Sequence, residues 1–375
     1  MSNKTAVLTQ YDQQRKKYER FAREVEHQLR CILEEEGIVC NAITSRVKER
    51  DSLTQKIDVK SDKYKSLSEV TDIAGIRIIT YYDSDVERAA KIVEREFCVD
   101  KENSINKREA LGPEKFGYCS VHYVVSMNED RLKLPENRGY AGIKCEIQIR
   151  TVLQHAWAEI EHDLGYKSEI DIPKDIRRSF SRLAGLLEVA DKEFQEIRDF
   201  LETYRAKVEA EISEKSDYGT PDCELDAVVL EAVLKTKPNF QELNRRIGEI
   251  AGMKIRVPAK QKDKQDYYGG TLQKLNCLGI STTAQLDQLA ERGADLASYL
   301  ADKFLRDRYK TEPEGATLPN TIGVFYLCYA QLILNNYSKE RVVQYMENTS
   351  IGVLEERDPF VQNLLKYGRE FAVQQ

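Results

Sequence analysis

The sequence lacks the features that identify membrane, exported and disulfide-rich proteins. It has no run of about 18 apolar residues, and its first residues, Met1 to Thr5, form no apolar signal core. Its eight cysteines include no Cys-x-x-Cys motif and lie near no histidine pair, which argues against structural zinc and against a disulfide framework. We therefore expect a cytoplasmic protein with reduced cysteines and no membrane partner.

Length and charge narrow the class of protein further. At 375 residues the chain is longer than a typical compact domain, so we expect two or three domains. With 41% hydrophobic and 32% charged residues, it has the composition of an ordinary globular protein. Its net charge of −6 gives no overall attraction to nucleic acid. A phosphorylated substrate would therefore need local clusters of lysine and arginine.

Apolar periodicity predicts helices and strands that alternate along the first half of the chain. The predicted helices cover 8–36, 84–97 and 151–164, and the predicted strands cover 73–80, 120–126 and 143–150. A mixed β-sheet flanked by helices, of the α+β class, follows from this order.

The strand at 143–150 is the most informative of these elements because its residues alternate strictly. Apolar Ile143, Cys145, Ile147 and Ile149 alternate with polar Lys144, Glu146, Gln148 and Arg150. One face of this strand should therefore lie in a core, whereas the other is entirely polar.

The remainder of the chain reads as largely helical. The motif at Thr282 and Gln285 predicts a capping box that opens a helix, Gly269-Gly270 predicts a turn, and 320–335 predicts a helix with an apolar stripe. A polar segment with Gly and Pro marks the boundary before this part. The predicted divisions are an N-terminal amphipathic helix at 1–39, a core at 40–167, a long amphipathic helical extension at 168–212, a linker at 213–224 and a mostly helical domain at 225–375.

Cations and carboxylates suited to nucleotide chemistry collect around the predicted sheet. Reactions on a nucleoside triphosphate need cations for its phosphates, a divalent metal and carboxylates that hold the metal. The sequence offers them in order: Arg46, Lys48, Ser52 and Lys56 before the strand at 73–80, Asp72 at its start, Arg77 within it, and Glu146 and Gln148 on the later polar face.

These residues form four ordered blocks that resemble the synthetase domain of the RelA/SpoT family. The blocks are Arg46-Val-Lys48 with Ser52 and Lys56, Asp72-Ile-Ala-Gly75-Ile-Arg77, Gly117-Tyr118-Cys-Ser-Val-His122, and Glu146-Ile-Gln148-Ile-Arg150-Thr151. The resemblance covers roughly 40–167. It implies the mixed, nucleotidyltransferase-like sheet of that family.

The resemblance also implies a reaction and a role for each matching residue. The reaction is transfer of the β,γ-pyrophosphate of ATP to a ribose 3′-hydroxyl, most often that of GDP or GTP to make (p)ppGpp, with release of AMP. Asp72 and Glu146 would hold Mg²⁺, and Glu146 would assist deprotonation of the hydroxyl. The implied ATP-binding residues are Arg46, Lys48, Ser52, Lys56 and Arg77, and the implied acceptor-binding residues are Tyr118, His122, Gln148 and His155.

One departure from the family pattern leaves the acceptor open. Alarmone synthetases usually carry Asn-Gly-Tyr in the base-binding loop, whereas this chain has Phe116-Gly117-Tyr118. The loop is similar to that of toxic small alarmone synthetases, some of which modify the 3′ end of tRNA and some of which are fused to an inhibitory domain (the CapRel-like branch). Tyr326 and Tyr329 are similar to the element by which such domains cover the ATP site, although two aromatics on an apolar helix face are the favoured explanation.

Four further hypotheses stay open beside this one. The chain would be a catalytically silent nucleotide sensor if turnover were lost, or a nucleotidyltransferase if pyrophosphate rather than AMP left. A fused C-terminal domain would take a protein partner as its trigger, and the long helix at 174–212 offers a surface for a homo-oligomer. With only four histidines, the metal-binding set of the family's hydrolase domain is missing, so we expect no alarmone hydrolase.

Overall fold

The chain divides into two compact units, which are described separately. A computed structural model describes residues 3–59, 63–106, 120–164, 174–213, 222–258, 261–306, 316–350 and 354–374. The first unit is Met1–Asp199 and the second is Phe200–Gln375. One long helix, α6 (Lys174–Ser213), contributes residues to both units. Most of the predicted linker at 213–224, namely residues 214–221, is outside the described residues.

The first unit is a mixed sheet flanked by helices, as the sequence predicts. Its strands are β1 (Cys40–Val47), β2 (Ala74–Thr80), β3 (Phe97–Val99), β4 (Ile105–Asn106), β5 (Val121–Met127) and β6 (Cys145–Thr151). Its other helices are α1 (Asn3–Glu35), α2 (Arg50–Val59), α3 (Asp83–Glu96), α4 (Glu129–Leu132) and α5 (Val152–Asp163). The strand order is β1-β2-β6-β5-β3, with β4 paired to β5. Only the β2–β6 pair is parallel among these described strands.

The core of this unit lies on one face of the sheet, under α1 and α3. Helix α1 buries residues at helical spacing, among them Tyr11, Phe21, Val25 and Leu29. They pack against β-branched side chains of β2 and β6, whose apolar residues alternate with polar ones. The opposite face of β6 therefore stays free for polar side chains.

Strand β1 is the longest strand of this unit and was not predicted from the sequence, and neither were the elements α2, β3, β4 and α4. Of its eight residues only Ile43 is buried, so it lacks the alternation that identifies a half-buried strand. It lies at the edge of the sheet, paired with β2 alone among the described strands. Arg46 is therefore a strand residue, and β2 is the second strand of the sheet.

The second unit is mostly helical, as predicted. Its helices are α7 (Ala227–Thr236), α8 (Pro238–Ala251), α9 (Gln261–Asn276), α10 (Thr283–Leu305), α11 (Ile322–Leu334), α12 (Lys339–Asn348) and α13 (Leu354–Gln374). Two short parallel strands, β7 (Lys254–Arg256) and β8 (Thr317–Pro319), complete it. None of the helices described in either unit is long and apolar enough to cross a membrane.

Two local predictions in this unit had different outcomes. The capping box is confirmed, because Thr282 accepts from the Gln285 amide and the Gln285 side chain accepts from the Thr282 amide. The turn at Gly269-Gly270 is wrong, because both glycines lie inside α9. Tyr268 and Leu275 of this helix are buried in the core of the second unit, and this tertiary packing outweighs the roughly 1 kcal/mol that a glycine costs in a helix.

Candidate functional site

The polar face of the sheet brings residues from four strands into two rows. In the first row Arg46 of β1 pairs with Gly75 of β2, which pairs with Glu146 of β6. A Cβ on Gly75 would lie 3.6 Å from Arg46 Cγ, an ordinary van der Waals contact, so the Arg46 side chain lies directly over this strand. The register therefore places the Arg46 guanidinium and the Glu146 carboxylate in the same row of the sheet, with only Gly75 between them.

The second row lies one pleat further along the same strands. Arg77 of β2 pairs with Gln148 of β6, and Gln148 pairs with His122 of β5. Paired residues of neighbouring strands point to the same side of a sheet. Predicted ATP-binding and acceptor-binding residues thus lie side by side on one surface.

An open cavity of about 650 Å³ lies over this surface and the start of α2. It is lined by both predicted carboxylates and by all the predicted ATP-binding residues. The lining residues with polar side chains are Arg46, Lys48, Glu49, Ser52, Gln55, Lys56, Asp72, Arg77, Glu146, Gln148 and His162. Its volume is within the range of small-molecule sites.

Two lysines hold Asp72 at the edge of this cavity. Lys56 Nζ lies 2.6 Å and Lys48 Nζ lies 3.1 Å from Asp72 Oδ2. The other carboxylate oxygen, Asp72 Oδ1, is buried and has no hydrogen-bond partner among the described residues. A buried carboxylate oxygen without a donor is costly. This oxygen, with Glu146 on the same cavity, fits a hard cation such as Mg²⁺, which prefers oxygen ligands.

Glu146 is ionised because donors surround it. Gln148 Nε2 donates to Glu146 Oε2 at 3.0 Å, and His122 Nδ1 lies 3.1 Å from Glu146 Oε1. Burial opposes ionisation, but the hydrogen bonds from His122 and Gln148 and the charge of Lys56 outweigh it and hold the pKa of Glu146 at about 2. Glu146 is therefore a carboxylate at any physiological pH.

His122 also has a second partner behind it. Its Nε2 lies 2.6 Å from Ser120 Oγ. A carboxylate only accepts hydrogen bonds, so His122 Nδ1 carries the hydrogen that it shares with Glu146 Oε1. The Ser120 hydroxyl contacts the other ring nitrogen, so the imidazole is held between Ser120 and Glu146. Sequence reasoning included His122 but missed Ser120, although both belong to the same motif.

Arg77 is paired with a residue that the sequence analysis did not place in the site. Its Nη1 donates to Glu159 Oε1 of helix α5 at 2.8 Å. His155, one turn earlier on α5, lies 3.8 Å from the same oxygen. Burial, followed by the charge of Arg150, lowers the pKa of His155. His155 is thus close to Arg77 but does not line the cavity.

The remaining predicted residues have the following places. Tyr118, with Phe116, lies in 107–119, outside the described residues. His122 borders the cavity through Glu146 rather than lining it. Tyr326 and Tyr329 are only 3% and 2% exposed, in the core of the second unit. Their burial favours the packing explanation over a role in covering an ATP site.

The described residues form no metal site built from several protein ligands. No cluster of three or more His, Cys, Asp or Glu side chains there could hold a metal ion. The spacing of His155, Glu159 and His162 on α5 therefore does not form a metal face. The pair Asp72 and Glu146 is the described arrangement that suits a metal brought in with a nucleotide.

Comparison with known proteins gives matches to the part of the chain that carries this site. A model of a region found in RelA/SpoT proteins matches residues 45–171. Two proteins of Bacillus subtilis (strain 168) are similar: GTP pyrophosphokinase YjbM is 31% identical over 159 residues, 42% of this chain and 71% of that protein. GTP pyrophosphokinase YwaC is 30% identical over 157 residues, 41% of this chain and 71% of that protein. The crystal structure of small alarmone synthetase 1 from Bacillus subtilis is 26% identical with a TM-score of 0.43, covering 52% of this chain and 99% of that one.

Proposed function

The chain belongs to the RelA/SpoT family of pyrophosphokinases, and we propose that it transfers the β,γ-pyrophosphate of ATP to the ribose 3′-hydroxyl of GDP or GTP. AMP is the second product. The observation that carries this proposal is one cavity lined by Asp72, Glu146 and the cations of β1, β2 and α2. The similarity to two GTP pyrophosphokinases supports the guanosine acceptor.

Two pairs of cations are available to bind the triphosphate. Lys48 and Lys56 lie within 3.1 Å of Asp72 and are placed to shift from its carboxylate to phosphate oxygens when ATP enters. Arg46 and Arg77 lie beside each other on the sheet, and burial followed by the charge of Arg77 lowers the pKa of Arg46. An anion bound between the two guanidinium groups reduces their mutual repulsion. These side chains therefore favour a bound phosphate or nucleotide.

Asp72 and Glu146 are the residues that we propose to hold Mg²⁺. When bound, the metal would neutralise phosphate charge and acidify a hydroxyl close to it. Glu146, with its pKa held at about 2, is a weak base that accepts the hydroxyl proton only as the new bond forms. The 3′-oxygen attacks the β-phosphorus, the bond from this phosphorus to the α,β-bridging oxygen breaks, and that oxygen leaves on AMP.

The products of labelled ATP test the proposal. The full chain is incubated with ATP labelled at the γ-phosphate, Mg²⁺ and either GDP, GTP or tRNA, and the AMP and labelled products are separated. We expect label on the guanosine nucleotide and an equal amount of AMP. Label on the tRNA 3′ end would favour the toxin alternative, release of pyrophosphate would favour a nucleotidyltransferase, and label in neither acceptor would refute the proposal.

Matched variants connect this activity with the cavity. Glu146→Gln keeps the size of the side chain but removes its charge, and we expect turnover to fall by at least about 100-fold. Glu129→Gln, at an exposed position on α4, serves as the control and should retain wild-type turnover. An equal effect of the two substitutions would remove Glu146 from the mechanism.

For residues 225–375 we propose a regulatory role. This region supplies most of the extensive hydrophobic core of the second unit and has, among its described residues, no metal-binding cluster. A comparison of the full chain with residues 1–213 tests the proposal, because loss of an inhibitory domain raises turnover and toxicity on expression. Equal turnover of the two chains, with and without candidate protein partners, would contradict it.

A further inference from the structure

A continuous chain of hydrogen bonds runs along the polar face of β6 and ends at a buried arginine. Arg150 Nη2 donates to Gln148 Oε1. Gln148 Nε2 in turn donates to Glu146 Oε2 at 3.0 Å. The three side chains share one face of the strand because they are two residues apart. Arg150 is thus connected to Glu146 although it does not contact it.

Arg150 is placed where an arginine is costly. Its relative exposure is only 5%. Among the described residues it forms no ion pair with a carboxylate, and its Nε has no hydrogen-bond partner. A buried cation without a paired anion costs stability, and burial together with the charge of Arg77 lowers its pKa to about 10. If this position served packing alone, a methionine or leucine would fill the same space without the cost of burying a charge.

The chemistry of the two side chains fixes the orientation of the amide between them. A guanidinium only donates hydrogen bonds, so it can bind only the oxygen end of the Gln148 amide. The NH₂ end must then face Glu146, which as a carboxylate only accepts. Both neighbours therefore impose the same orientation on the amide, and without the arginine its oxygen would lose the donor that holds the Gln148 side chain in place. Arg150 therefore anchors the Gln148 amide that donates to Glu146.

We propose that Arg150 is a positioning residue for pyrophosphate transfer, which orients Gln148 and through it holds the Glu146 carboxylate toward the acceptor hydroxyl. The inference rests on the proposed function and adds a residue that touches neither nucleotide. His122 fixes the other oxygen of Glu146, so the carboxylate is held from both sides. Loss of Arg150 should leave ATP binding largely intact and slow the transfer step.

A double-mutant cycle in the full chain tests the inference. The variants are Arg150→Met, which keeps the length but removes every donor, Gln148→Ala, and the two combined. We expect each single variant to lower kcat by about 10- to 100-fold, the range found when residues that orient catalytic or metal-binding groups are removed, with KM for ATP changed less than about twofold. The double variant should be no slower than the slower single variant, because both substitutions break the same connection.

Two further variants separate positioning from folding. Arg150→Lys retains one donor for Gln148 and should recover part of the lost kcat. Arg131→Met removes another partly buried arginine of the same unit, whose Nη2 lies 2.7 Å from Glu96 Oε2 away from the cavity, and should keep wild-type kcat. If Arg150→Met fails to fold, kcat of Arg150→Lys and of Gln148→Ala still tests the hydrogen bond between Arg150 and Gln148.

The outcomes distinguish this inference from the proposed function. Wild-type protein that forms neither AMP nor a labelled acceptor refutes the function itself. Normal kcat in Arg150→Met, or single effects that multiply in the double variant, overturns the positioning role while the function stands. A large rise in KM for ATP at unchanged kcat would also overturn it, since Arg150 would then bind the donor nucleotide directly.

Discussion

Acidification should remove a specific part of the stability of the first unit, because Glu146 titrates far below its ordinary pKa. Its pKa is lowered from 4.5 to about 2, and its side chain is only 24% exposed. Each step of one in pKa is worth about 1.4 kcal/mol, so the ionised carboxylate contributes at most about 3 kcal/mol to the free energy of unfolding. This contribution is complete above pH 4.5 and is lost as the pH falls toward 2.

The assay compares wild-type protein with Glu146→Gln in the presence of a chelator. Urea unfolding is followed by the fluorescence of Trp157, the single tryptophan, which lies on α5 of the first unit. Near pH 7 the variant should be less stable by up to about 3 kcal/mol, and at about pH 3.5 the difference should shrink by about 1 kcal/mol. A variant as stable as wild type near pH 7, or a difference that widens on acidification, would refute the reasoning. The same pKa implies that protonation of Glu146 does not cause any loss of activity between about pH 8 and pH 5.

Other predictions concern packing and association. The exposed Cys98 should react with iodoacetamide much faster than Cys145, whose burial raises its thiol pKa to about 12, and mass spectrometry of the native protein would show the difference. Gly323→Ala should lower the free energy of unfolding by about 1–3 kcal/mol, measured by denaturant unfolding followed by circular dichroism, because the added Cβ would lie 2.7 Å from Asn244 Oδ1. Leu183→Glu, at a 52% exposed position in the apolar stripe of α6, should lower the mass measured by light scattering if this stripe joins two copies of the chain, and an unchanged mass would contradict that role.

The polar face of β6 could be predicted because its signal is local. Strict alternation places Glu146 and Gln148 on one face whatever surrounds the strand, and the structure keeps them there. Strand β1 could not be predicted, because an edge strand with only Ile43 buried has no such alternation. The pairing of Arg77 with Glu159 also needs knowledge of where α5 lies, since the two residues are far apart in sequence.

The pair Gly269-Gly270 is a second feature that a local sequence pattern could not predict. Gly269-Gly270 has the composition of a turn, but the helix around it is held by packing that a local pattern does not contain. The hydrogen-bond chain from Arg150 to Glu146 required side-chain directions as well as strand register. Alternation alone shows that the residues share a face and leaves their donors and acceptors unassigned.

The parallel pairing of β2 with β6 joins parts of the cavity that are synthesised at different times. The ribosome releases the lysines of the β1–α2 region and Asp72 early, whereas Glu146 follows only after α3, β3, β4 and β5 have emerged. Strand β6 then inserts between β2 and β5, a long-range step that must follow loop closure. A nascent chain would thus present the lysines that we propose to bind phosphate before it presents Glu146, the carboxylate that we propose to act with them.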